Sequence, residues 1–299
     1  MKNIVLTSLI ADALSLGSHW IYSQREISGK FGSITGYSDP ATSYHPGKHA
    51  GDFTHYGDQT MVLLRSLALH GTFDLASFAN EWRTFWENPE THSYRDGATK
   101  ATLANLRNGL PPALAASPSN DIAGAARIAP LFLLEWKSDD DLIAAARAQT
   151  SFTHGDPEVV EAAEFFARVT LAVRGGVPLP EAIRAAVSNP IQEKWLDAAL
   201  ASSASATTDT TATKAHGLTC HIPDAFPAVC HLLLRHPDDP VAALTVNAEA
   251  GGDNAARGMI LGMIHGAKPD AMPLPEHWLT GLRASGEIQQ LIETIHSHA

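Results

Sequence analysis

Cysteine is scarce: Cys220 and Cys230 are the only two in 299 residues, too few for a disulfide framework in a chain this long. Their apolar surroundings predict two free, buried thiols kept in a reducing compartment. No uninterrupted apolar run reaches the length of a membrane-spanning helix. The stretch Ile4 to Leu16, which follows Lys2 and has the outline of a signal peptide, is broken by Asp12 and reads as a buried opening helix. Positive charge is also short, with 21 Lys and Arg against 32 Asp and Glu for a net charge of -11. That balance argues against nucleic acid, whose binding needs clustered cations to displace counterions, and against anionic membranes. Small anionic molecules stay open, because a pocket can be locally positive inside an acidic protein. Together these absences predict a cytoplasmic chain with no nucleic-acid or membrane partner; the oligomeric state is left open.

Strand alternation is nearly missing as well, and helical periodicity takes its place. Met61, Leu64 and Ala68 share one face of a helix over 57–70, and Phe78, Trp82, Phe85 and Trp86 mark one over 74–87 behind Asp74. Asp156-Pro157 starts a helix that Gly175-Gly176 ends, since Pro at the first helical position forfeits no hydrogen bond. Further helices are predicted near 3–16, 97–108, 121–135, 139–149, 180–188, 223–235, 239–250, 254–266 and 286–297. The expected fold is all-α, one multi-helix domain over residues 1–299. Residues 29–57 read as a long irregular loop of the kind that often carries function. The Ser/Thr/Ala run 201–214 reads as a flexible surface connection.

The densest chemistry lies in His45-Pro-Gly-Lys-His49-Ala-Gly-Asp52-Phe-Thr-His55-Tyr-Gly-Asp58-Gln-Thr60. Three histidines with Asp52 or Asp58 have the donor types of a zinc site, although the spacing matches no zinc signature. A polar loop of hydrogen-bonded histidines accounts for them equally. Asp58 and Asp253 each stand near a helix start, where a carboxylate caps free N–H groups and complements the dipole. Capping alone would explain both.

Five segments in order bear a resemblance to the ADP-ribosylglycohydrolase (dinitrogenase-reductase-activating glycohydrolase) superfamily. They are Asp12-Ala-Leu, Gly57-Asp58-Gln59-Thr60-Met61, Tyr94-Arg95-Asp96-Gly97, Thr153-His154-Gly155-Asp156-Pro157 and Gly251-Gly252-Asp253-Asn254-Ala255-Ala256, with Gly258, Gly262 and Gly266 beyond. The resemblance implies an all-α orthogonal helical bundle and hydrolysis of an ADP-ribosyl or related N- or O-glycosidic bond in a small-molecule or ADP-ribosylated substrate. It also implies magnesium, one ion or two, bound by carboxylates and waters that orient a nucleophilic water. On these motifs Asp58 and Asp253 are the expected catalytic residues, and Asp58, Thr60 and Asp253 the expected metal ligands. His55, Tyr56, Gly97, Gly252 and Asn254 are expected at the substrate. Asp58 and Asp253 should then face one another across a polar cleft bordered by residues 44–56. The chain departs from the pattern at Gly57, Gln59, Ala255 and Ala256, where the family carries Thr, Asp, Asp and Thr. A non-catalytic binding or structural protein is therefore an alternative, and a zinc hydrolase using His45, His49 and His55 is a second.

Overall fold

The computed structural model describes residues 1–298, and among them lie sixteen α-helices and no named strand. The first half carries α1 (Lys2–Ser15), α2 (Gln24–Phe31), α3 (His55–His70), α4 (Leu75–Glu87), α5 (Gly97–Arg107), α6 (Ala123–Ala126), α7 (Asp139–Ser151) and α8 (Pro157–Arg174). The second carries α9 (Leu179–Ala185), α10 (Pro190–Ser203), α11 (Asp209–His216), α12 (Ile222–Arg235), α13 (Pro240–Ala250), α14 (Asn254–Gly266), α15 (Glu276–Gly281) and α16 (Ser285–Ser297). One hydrophobic core takes side chains from Ile4 in α1 to Ile295 in α16. No described helix is long and apolar enough to cross a membrane.

The expected helices are present, α10 and α15 are additional to them, and three further differences have local causes. The predicted helix 121–135 is divided into α6 and a 3-10 turn at Ala129–Leu133, because Pro130 cannot donate the hydrogen bond that would continue α6. The polar run 201–214 is mostly helical: α10 ends at Ser203 and α11 opens at Asp209. Thr213 returns its hydroxyl to the Asp209 carbonyl there, so Ser and Thr are tolerated by bonding back into their own helix. In the predicted loop 29–57, α2 reaches Phe31 and α3 begins at His55, leaving 32–54 without a helix.

The centre of the fold is the pairing of α1 with α14, the most extensive helix contact among the described residues. Every residue of α14 is buried. Its stripe Gly258, Gly262 and Gly266 lets the α1 backbone approach: a methyl at Gly262 would overlap the Thr7 carbonyl, and one at Gly266 that of Asn3. Gly262→Ala is therefore expected to cost about 1–3 kcal/mol through overpacking, measured by urea denaturation. An unchanged midpoint would show that the two helices have slack. This close pairing fixes where the turn before α14 meets the end of α1, and the site is built on that junction.

Candidate functional site

A cleft of about 570 Å³ opens beside the α14 N-terminus, within the range of small-molecule sites. Aromatic rings of Trp20, Tyr22, Tyr56 and Tyr94 form one part of its lining, and Asp96, Asp121 and Asp253 supply carboxylates. Ser117, Ser119 and Thr219 add hydroxyls.

Asp253 reaches the cleft through an unusual turn. Gly251 and Gly252 both have positive φ (72° and 65°), and a side chain on either would collide with the carbonyl of Ile21 or Leu218. Trp20 is the one non-glycine residue with positive φ among those described (63°), a conformation costing roughly 1–2 kcal/mol. Its backbone N–H donates to the Gly252 carbonyl at 2.8 Å, and its indole N–H donates to Asp253 Oδ2 at 2.9 Å. The strained residue thus clamps the glycine turn and orients the carboxylate. Asp253 itself does not cap α14; its Oδ1 has no partner although it is buried.

Tyr56, in the first turn of α3, joins the acids. Its hydroxyl lies 3.0 Å from Asp253 Oδ2 and 3.4 Å from Asp121 Oδ2. Asp121 Oδ1 accepts from Ala123 N–H at 2.8 Å. A carboxylate oxygen of Asp121, one of Asp253 and the Cys220 sulfur all fall within 4.8 Å of one another. Burial raises the pKa of Asp121 well above the carboxylate range, with the neighbouring Asp253 adding to it. Burial also raises Asp253, but there the hydrogen bonds from Trp20 and Tyr56 and the charge of Arg257 pull the other way. Two like charges this close disfavour ionising together, and the donors around Asp253 favour the anion there over Asp121. Burial and both carboxylates push the Cys220 thiol up; it is a neutral neighbour and no nucleophile.

The other expected site residues fall in different places. Asp58 opens on a separate cavity with Lys48, Asp52, Met61 and Arg65, and both its oxygens accept from Lys48 Nζ at 2.8 Å. The reason is register: Thr54 is the N-cap of α3, so Asp58 sits a full turn inside the helix, on another face from Tyr56. Thr60 donates its hydroxyl to the Tyr56 carbonyl within α3. Gln59 accepts from the Trp82 indole at 2.9 Å and from the fully buried Arg127. Gly57 has no room for a side chain, because the Asp12 carboxylate occupies that space while binding Thr54 N–H and Oγ1. Tyr56 and Gly97 do line the cleft. Gly252 serves the turn, Asn254 bonds His19 and Ser18 behind it, and His55 lies under Tyr56 at 3.9 Å between rings. His49 stands apart from the other histidines, beside Asp39.

This disposition bears on the magnesium expected from the motifs. Of Asp58, Thr60 and Asp253, only Asp253 faces the cleft with a free oxygen; the Gln59 oxygen is engaged, and Ala255 and Ala256 bring no donor. The residues present do not fit a two-ion magnesium centre of the family pattern, which needs several oxygens converging on each hard cation. Asp121, Trp20 and Cys220 were not among the expected site residues. Asp121 gives no sequence signal beyond a helix start, and Trp20 acts only through a left-handed backbone that its sequence does not announce.

Asp58→Asn is accordingly expected to leave kcat/KM unchanged and cost about 1 kcal/mol or less, the worth of a partly exposed ion pair. Kinetics and denaturation on one preparation read both; a large loss of turnover would return Asp58 to the site.

Comparison with known proteins agrees with the architecture. A solved structure described as an ADP-ribosylglycohydrolase-related protein complex superposes with a TM-score of 0.74 at 20% identity, over 99% of this chain and 96% of its own. Crystallin J1A of Tripedalia cystophora is 22% identical over 98% of this chain and 95% of its length. The family model for ADP-ribosylglycohydrolase matches residues 1–299, and the chain belongs to that family.

Proposed function

We propose that the chain hydrolyses an N- or O-glycosidic bond of a ribosyl or ADP-ribosyl compound, using Asp121 and Asp253 as an acid–base pair. The observation that carries this reading is the convergence of two buried carboxyls on one tyrosine hydroxyl at the wall of an aromatic cleft. Unequal environments divide the roles. Asp121 keeps the proton and donates it to the leaving nitrogen or oxygen as the glycosidic bond breaks. Asp253, held ionised by Trp20 and Tyr56, takes a proton from the attacking water, whose oxygen bonds the anomeric carbon. Its charge also stabilises the cationic character that develops on the sugar.

The lining holds three carboxylates and no Lys or Arg, so the sugar is expected inside and any diphosphate toward the rim. There Lys100 lies 5.9 Å from the Tyr94 ring centroid, and α5 presents its N-terminus, a favourable place for phosphate oxygens.

The relative named a crystallin, together with the departures at Gln59, Ala255 and Ala256, favours a second reading, a non-catalytic binder. The two separate in one experiment. The purified chain is incubated with N-linked and O-linked ADP-ribosyl and ribosyl conjugates, with and without Mg2+, and free sugar is read by chromatography. Release with saturation kinetics is expected; ADP-ribose binding by calorimetry without release from any conjugate would establish the binder instead.

A further inference from the structure

Behind the aromatic wall lies a second cluster that the acid pair does not use. His19 follows the short turn after α1, His45 comes from the loop before α3, and His55 opens α3; all three are buried. One ring nitrogen from each falls within 4.8 Å of the other two. Ring centroids are 5.4, 5.7 and 6.2 Å apart. Imidazoles bound at about 2.1 Å to one tetrahedral ion place their centroids roughly 5 Å apart, so the rings stand close to that spacing.

Each of the three rings has a buried nitrogen that lacks a partner. His19 Nδ1 is 3.0 Å from Asn254 Oδ1. The Asn254 amide nitrogen donates to Ser18, Ser15 and Ala248, so its oxygen is an acceptor, and His19 carries its proton on Nδ1. Nε2 is left as a lone pair, buried and unpartnered. His55 Nε2 lies 3.4 Å from Asp96 Oδ2, and both ring nitrogens of His55 are buried without a hydrogen-bond partner. His45 Nε2 is likewise buried without a partner. His19 thus has the supporting oxygen that metal-bound imidazoles have on their far nitrogen, and Asp96 stands close enough to His55 to supply a second. Buried ring nitrogens left without partners are costly unless something takes them up.

We propose that His19, His45 and His55 form a binding site for one borderline divalent cation of the zinc class, separate from the acid pair. Imidazole donors select such ions over magnesium, which prefers oxygen. The ion would tie the end of α1, the 44–54 loop and α3 together behind Trp20, whose ring stacks on His19 and His45 at 4.4 and 5.4 Å. Asp96 would link it to the cleft, since that carboxylate both faces His55 and lines the cavity. The site does not depend on the hydrolytic reading.

The test uses the full chain stripped with a chelator, reloaded with Zn2+ and desalted, with metal measured by mass spectrometry. About one zinc per chain is expected, and Co2+ in its place should give the visible absorption bands of a four- or five-coordinate ion. Metal should be lost in His19→Gln and His45→Gln and kept in His49→Gln, Asp121→Asn and Asp253→Asn, with circular dichroism confirming that each is folded. The wild-type cobalt spectrum stands without any variant. Sub-stoichiometric zinc, a six-coordinate cobalt spectrum, or zinc lost with Asp253→Asn but kept with His45→Gln would each overturn the proposal and leave a water-filled histidine pocket.

Discussion

Asp253→Asn is expected to lower kcat/KM by a factor of about 10²–10⁴, the range for removing a general base or acid, while the protein stays folded. The amide oxygen can still accept from Trp20 or Tyr56, so the turn before α14 keeps most of its hydrogen bonds. Removing one acid of the pair also removes the repulsion that helps Asp121 hold its proton, so the leaving-group acid weakens in the same stroke. Unfolding free energy should change by about 1 kcal/mol or less. Kinetics with a cleavable ribosyl conjugate and urea denaturation measure the two effects. Loss of turnover together with collapse of the fold would mean that Asp253 is structural.

A second large effect concerns pH. His265 lies in α14 with neither ring nitrogen bonded, and burial, with Lys268 nearby, lowers its pKa to about 4. Above the ordinary histidine value of about 6.5 both folded and unfolded chains carry it neutral, and it contributes nothing to the pH dependence. Below that value the unfolded chain binds a proton that the folded chain refuses, so stability falls as pH falls, until the folded chain protonates near pH 4. The slope is about 1.4 kcal/mol per pH unit and the total about 3 kcal/mol. Asp12 works in the opposite direction: burial raises its pKa to about 6 against two Thr54 hydrogen bonds, so over roughly pH 4–6 it favours the folded state as pH falls. The two are separated by comparing wild type with His265→Leu across a pH series. The variant should gain on wild type by about 3 kcal/mol between neutral pH and pH 4; parallel stability curves would show that His265 titrates normally.

How much of this was legible in the sequence differs between fold and site. The small-residue stripe of α14 and the Asp-Pro start of α8 can be read directly, because glycine spacing and proline placement state their own geometry. Asp156 caps α8 as its position suggests, accepting from Glu158 N–H. The family motifs pair Asp58 with Asp253, but position along the helix separates them. One residue of register decides which face a side chain takes, and Thr54, not the glycine before Asp58, begins α3. Tyr56 was legible as a neighbour of the motif, while its hydroxyl bridge depends on Asp121, 65 positions away. The histidine cluster was half visible: His45 and His55 are in the loop, but the third ring is His19, brought in by the end of α1, and His49 points elsewhere.

The most direct test of the paired acids is a double-mutant cycle on kcat/KM with Asp121→Asn, Asp253→Asn and the double variant. Residues that act as one unit are strongly non-additive. Each single variant is expected to lose most of the activity, and the double to lose no more than about tenfold beyond the worse single. Losses that simply multiply, or full activity in either single variant, would contradict an acid–base pair at this site.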